Sequence, residues 1–178
     1  MDKDDPIFMA FAARQAATAL ADTSADQTGL SLGHVLAYAA RTEGLADLRI
    51  ERCLRNTPHW RRFYLDKLRK TAVAWSDRAR AASDEVVLSR DIGPNRLEMI
   101  DDADGTILLI TLSDPQPVAY SIEARAPAGT GVRLDLGRPV GPVLQILLSE
   151  DFPETKALKT LLAQPETILF LMMKTLPK

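Results

Sequence analysis

Between Leu30 and Ala72 apolar residues recur at every third or fourth position, the period of helices with one buried face. Leu32, Val35, Leu36 and Ala39 form one stripe, Leu45, Leu48, Ile50, Cys53 and Leu54 a second, and Phe63, Tyr64 and Leu68 a third. The first two helices meet at Glu43-Gly44, and Ser31 can cap the first of them. A break follows at Asn56-Thr57-Pro58. Proline lacks an N–H and has a fixed φ, so Pro58 suits the first turn of a third helix beginning near His59, with Asn56 and Thr57 placed to cap its free amides. That helix is expected to run on through Ala74, Trp75, Arg78 and Ala81 and to end near Ser83-Asp84. Ahead of the unit, Ile7, Phe8, Phe11 and Leu20 lie among alanines and predict a helix over 6–21, whose narrow apolar face needs the unit to pack on. Residues 22–29 form a polar loop rich in capping and turn residues.

From Val86 the period changes from helical to alternating. VVLSR, RLEMI, TILLITL, AYSIEA, VRLDL and VLQILLS are short runs rich in strand formers. Turn chemistry separates them at Asp91-Ile92-Gly93-Pro94, Asp102-Ala103-Asp104-Gly105, Asp114-Pro115-Gln116-Pro117, Pro127-Ala128-Gly129 and Gly137-Arg138-Pro139. A spacing of about ten residues with a turn at each gap predicts an antiparallel β-sandwich or a small open barrel. Glu154 to Ala163 then reads as a short helix, and Thr167 to Met173 as a last strand, apolar on both faces and therefore central or covered. The fold class is α+β: a helical bundle over 1–84, then a β-rich domain over 85–178 with one short helix. There is no internal repeat and no low-complexity tract.

Composition narrows the function more than the fold. The chain has 178 residues and a formal net charge of −2, so no global charge announces a nucleic acid or a membrane. Its single cysteine excludes an intramolecular disulfide, and its first residues are acidic, the opposite of a secretory leader. No apolar run approaches the ~20 residues that a membrane-spanning helix needs. The expected setting is the cytoplasm.

Leu36-Ala37-Tyr38, Gly44-Leu45 and Glu51-Arg52-Cys53-Leu54-Arg55-Asn56-Thr57-Pro58-His59-Trp60-Arg61 follow one another in an order that resembles the N-terminal helical domain of bacterial anti-sigma factors. Zinc-binding members of that family carry a His-x-x-x-Cys-x-x-Cys set, and at those positions this chain has Cys53, Thr57 and Trp60. Only Cys53 could bind a metal, whereas structural zinc takes four nitrogen or sulfur ligands. The resemblance therefore implies a zinc-less version in which Trp60 fills the space of the metal site, and a helical half that occludes a sigma factor. It covers residues 30–72. An ordinary three-helix bundle has the same apolar pattern.

No active site emerges. Cys53 and His59 are six apart, but Cys53 sits on the apolar face of its helix, the place of a small buried hydrophobe. Two histidines and one cysteine cannot complete a metal site by themselves. Asp101-Asp102-Ala103-Asp104-Gly105 has the acids of a calcium loop without the distal glutamate or flanking helices, and reads as a solvated turn. Gly129-Thr130-Gly131 lies between strands and precedes no helix that could hold phosphate.

The surface feature with direction is a basic cluster: Arg49, Arg52, Arg55, Arg61, Arg62, Lys67, Arg69 and Lys70, opposed only by Glu51 and Asp66. Such residues commonly just cover the solvent face of amphipathic helices. Taken as a binding surface, Arg52, Arg55, Arg61, Arg62 and Trp60 are the candidate partner contacts. The reading is a non-enzymatic regulatory protein, without cofactor, metal or small-molecule substrate, that binds and sequesters a protein partner. By resemblance that partner is a sigma factor. The alternative is an interaction module or adaptor that docks or inhibits a neighbouring effector protein without any sigma factor.

Overall fold

The computed structural model describes residues 30–41, 46–76, 88–102 and 105–174. The helix expected over 6–21, the loop over 22–29, the Glu43-Gly44 junction and the boundary near 84 lie outside them. Within them the chain is mixed α+β, with four helices and two four-stranded antiparallel sheets. Three helices come first: α1 (Leu32–Ala40), α2 (Leu48–Asn56) and α3 (Pro58–Thr71). The strands are β1 (Ala74–Ser76), β2 (Leu88–Ile92), β3 (Asn95–Asp102), β4 (Gly105–Thr111), β5 (Tyr120–Arg125), β6 (Gly131–Gly137), β7 (Val143–Leu148) and β8 (Ile168–Met173), with α4 (Pro153–Leu162) before the last. No helix among the described residues is long and apolar enough to cross a membrane.

Local chemistry accounts for the helix starts. Ser31 accepts from the His34 amide while the His34 ring accepts from the Ser31 amide, a reciprocal cap that uses one of the two histidines. The Asp47 carboxylate accepts from the Arg49 and Ile50 amides and starts α2. Pro58 opens α3 as expected, but the Thr57 side chain makes no capping bond. Its carbonyl alone enters the helix, accepting from the Arg61 amide.

The expected continuation of α3 beyond Lys70 is wrong. The helix stops at Thr71, Ala72 turns extended at φ −67°, ψ 143°, and Ala74–Ser76 is a strand. The reason is tertiary. The Val73 amide donates to the Leu171 carbonyl, and Ala74, Trp75 and Ser76 pair with Leu171, Phe170 and Leu169. An apolar, alanine-rich stretch that could be helix is worth more as the edge partner of β8, whose ladder groups would otherwise be unpaired. A strand from the first part of the chain thus belongs to a sheet built by the last part.

The first sheet runs β1-β8-β5-β6 and the second β2-β3-β4-β7. Ile122 and Ala124 of β5, with Leu169 and Leu171 of β8, join Leu97, Leu108, Ile110 and Leu144 of the second sheet in one buried cluster. Leu158, Leu161 and Leu162 of α4 complete it. The alternate residues of β8, Phe170 and Met172, turn to the other side and join Val35, Tyr38, Ile50, Leu54, Trp60, Tyr64 and Leu68 of the helices. Strand β8 is therefore central and apolar on both faces, as its sequence predicts. All six residues of β5 are buried.

Two positions depart from the periodic reading or sharpen it. Leu48, placed by its spacing on the inner stripe of α2, is 74 % exposed. It is the first residue of the helix, and the buried stripe begins at Ile50 and continues through Cys53 and Leu54. Trp60 is 2 % exposed, its ring edge-on to Phe63 at 6.1 Å, in the middle of the helical cluster. Trp60→Ala is expected to lower the unfolding free energy by ~3–5 kcal/mol, the range for deleting a buried aromatic side chain. Urea denaturation followed by circular dichroism checks it, and an unchanged midpoint would place the ring at the surface.

Candidate functional site

Where the helices meet the first sheet, the interface is a cluster of charges. Strand alternation puts Glu123 and Arg125 of β5 on the face toward the helices, and the β5–β6 register sets Arg133 directly opposite Glu123. From the helices come Glu51 of α2, Tyr64 of α3, and Tyr38 and Arg41 at the end of α1. Glu123 has no exposed surface, Arg125 is 2 % exposed and Glu51 8 %.

The groups satisfy one another almost completely. Arg125 grips Glu51 with both ends of its fork, Nη1 to Oε2 at 2.6 Å and Nη2 to Oε1 at 2.6 Å, while its Nε donates to Glu123 Oε1 at 2.7 Å. The Tyr64 hydroxyl donates to the same Glu123 oxygen at 2.7 Å, and Arg133 Nε donates to the other at 2.7 Å. Tyr38 donates its hydroxyl to Glu51 Oε1 in a short hydrogen bond. Arg133 goes on to the carbonyls of Arg41 and Ala39, where a cation meets the negative end of α1. Arg41 lies 3.5 Å above the Tyr38 ring. Two carboxylates balance the guanidiniums of Arg125 and Arg133 at the centre of the cluster.

Two glycines make room for it. A Cβ on Gly131, the β6 partner of Arg125, would sit 2.3 Å from the Arg125 Cδ. A Cβ on Gly129 would sit 2.5 Å from the Leu54 carbonyl oxygen, and Gly129 has φ +93°. The Gly129-Thr130-Gly131 segment is thus where β6 lets a buried arginine and the end of α2 approach its backbone.

The electrostatics follow from burial and pairing. Burial alone would raise the Glu123 pKa, but Arg125 and Arg133, with help from the Tyr64 hydroxyl, hold it down to about 2. Burial, reinforced by Glu123, pushes the Tyr64 phenol up to about 12. Burial and the bond to Glu51 also raise Tyr38. Burial opposes the charge on Arg125, and Glu123 and Glu51 more than offset it. With both oxygens of Glu123 bonded and Glu51 held by Arg125, the cluster fastens the helices to the sheet.

The basic candidates divide. Arg52, Arg55 and Arg62 are exposed and form no ion pair with a described residue. Arg52 and Arg55 are one turn apart on α2, and Arg62 follows the Thr57 elbow. Arg61 is turned inward on the chain, donating from Nη1 to the Pro127 carbonyl and from Nη2 to the Arg55 carbonyl at 3.3 Å. Trp60 is closed inside the helical cluster and has no surface to present. Glu51, read from the sequence as an acid among the surface bases, is instead the buried partner of Arg125. Arg69 pairs with Asp66 and lies over the Trp75 ring.

Other chemistry is sparse among the described residues. No three His, Cys, Asp or Glu side chains converge as they would around a metal, and Cys53 is buried. Asp101 accepts from Thr106 across the β3–β4 ladder at 2.5 Å. A cleft of about 270 Å³ is lined by Val73, Asn95, Leu112, Tyr120, Leu171 and Met173 among others. The Asn95 amide within it is engaged by the Ile92 carbonyl and the Ser113 amide. No protein-family model, curated protein or solved structure matches the chain.

Glu51→Gln, which leaves Arg125 buried beside one fewer charge, is expected to cost about 3–5 kcal/mol of stability. Removing both charges together, as Glu51→Leu with Arg125→Met, is expected to cost less than the single change, because Glu123 then balances Arg133. Chemical denaturation of the three proteins checks the order. Glu123 also sets a pH dependence. Its pKa is depressed from 4.5 to about 2 on folding, so its stabilisation is present above about pH 4.5 and is lost as the pH falls toward 2. That contribution is roughly 3 kcal/mol at neutral pH. Unfolding free energies between pH 6 and pH 2 are expected to fall more steeply for the wild type than for Glu123→Gln.

Proposed function

We propose that the protein is a non-enzymatic regulator that binds a protein partner through the exposed arginine face of α2 and α3. The fold is read with it as a helical bundle docked on a β-sandwich. The observation that carries the reading is the contrast within one helix pair. Glu51, Tyr64 and Arg61 are spent inside the chain, while Arg52, Arg55 and Arg62 are exposed and form no ion pair with a described residue. A helix pair held by a buried charged joint presents such a face with little freedom to rearrange, which lowers the ordering cost of association. An acidic partner surface is the complement, and charges of this kind act chiefly on encounter rate and specificity.

The resemblance of residues 30–72 to anti-sigma factors makes a sigma factor the first partner to test, in the cytoplasm that the single cysteine favours. The adaptor reading uses the same surface with an effector protein in place of the sigma factor. In Arg52→Glu/Arg55→Glu/Arg62→Glu the fold is expected to persist, because exposed charges contribute little to stability. Association with the partner recovered by affinity purification from the native host is expected to slow at least tenfold and to lose its salt dependence. Recovery of a sigma factor separates the first reading from the second. Micromolar binding to DNA at physiological salt, abolished by the same triple change, would overturn both.

A further inference from the structure

A second buried arginine lies well away from the charged joint. Arg90 is the middle residue of β2, paired with Leu97 of β3, and the alternation of the strand sends it inward with Ile92 while Asp91 faces solvent. It is 2 % exposed. Its Nη2 donates to the Thr167 carbonyl at 2.6 Å, just before β8 begins. Its Nε and Nη1 are out of reach of water and have no hydrogen-bond partner among the described residues, and neither has the hydroxyl of Thr167, a residue with no exposed surface.

The comparison with Arg125 shows what is missing. With the same small solvent exposure, Arg125 has a carboxylate on its fork and a second on its Nε. Arg90 has no ion pair with a described residue, and burial pulls its pKa down with nothing to offset it. Guanidinium remains charged even so, and a buried charge without a counter-charge or a full set of hydrogen bonds is among the most costly arrangements in a protein interior. Two unpartnered guanidinium nitrogens, and the unpartnered hydroxyl of the residue whose carbonyl holds the third, are all able to donate, and donors of this kind match the acceptor oxygens of an anion.

We propose that Arg90 and Thr167 form a binding site for a small oxyanion of the carboxylate or phosphate class. The guanidinium supplies charge and direction, the Thr167 hydroxyl supplies a further donor, and the Thr167 carbonyl holds the guanidinium in place. The site sits where β2, the edge strand of the second sheet, lies beside the start of β8, at the opposite end of β8 from the cleft lined by Leu171 and Met173. Filling it would tie the two sheets together and make their association depend on the ligand.

The test uses the full chain. Melting temperature is followed while inorganic phosphate, acetate and citrate are each titrated against sodium chloride at matched ionic strength. At least one oxyanion is expected to raise the midpoint by roughly 5–10 °C once it reaches about a hundred times its Kd. Thr167→Val is expected to shift that titration at least fivefold to higher concentration, and Arg90→Met to abolish it. If Arg90→Met does not fold, Arg90→Lys keeps the charge without the planar fork and is expected to weaken the response at least tenfold. The Arg90 Nε–H resonance, identified by its loss in Arg90→Lys, is expected to move during the same titration. A wild type indifferent to all three anions, or variants that respond as the wild type does, would overturn the proposal.

Discussion

The structure depends on one bidentate contact, the fork of Arg125 on the carboxylate of Glu51. It crosses from β5 to α2 over 74 residues of chain and is closed off from solvent. A charge pair this deep is costly to desolvate, and a well-packed apolar pair could be as stable. What the pair provides is direction. A guanidinium meets a carboxylate in one plane at one distance, so the contact sets where α2 lies on the sheet in a way that sliding apolar surfaces do not.

Much else follows from that placement. Arg125 must reach α2 across β6, and only glycine at position 131 leaves the space. Its Nε needs an acceptor, which Glu123 supplies from two residues earlier on the same face, and Glu123 in turn needs Tyr64 and Arg133 to be fully bonded. Arg133 then reaches the end of α1. Each added partner satisfies the group before it, so α1, α2 and α3 are all tied to one pair of strands. Arg90 is the converse case, a guanidinium as little exposed whose Nε and Nη1 meet no acid among the described residues.

The joint also sorts the basic residues of α2 and α3 by role. Because Glu51 turns inward, α2 presents Arg52 and Arg55 to solvent apart from it, although the sequence places Glu51 next to Arg52. Arg61 closes on the Pro127 carbonyl and braces the elbow after Thr57. A charge cluster that looks uniform along the chain is in three dimensions part brace and part open face.

Secondary structure was largely written locally. Seven of the eight described strands and the late helix lie where alternation, turn residues and proline put them, because such elements are decided largely by their own residues. The apolar stripes of α1 to α3 and the burial of Trp60 were legible for the same reason. Strand β1 was not, since Ala72–Ser76 suits a helix as well as a strand and only the open edge of β8 decides between them. Glu123, Arg125 and Arg133 showed only as the polar half of alternating strands, which by itself means solvent. Whether a polar face meets water or another element depends on residues far along the chain, here the helices that cover it. The amino-acid sequence alone therefore determined the elements and their apolar faces, which arise from interactions a few residues apart. Only the tertiary structure decided which charges are buried and paired, because burial and a partner some 70 residues away do not exist until the chain is packed.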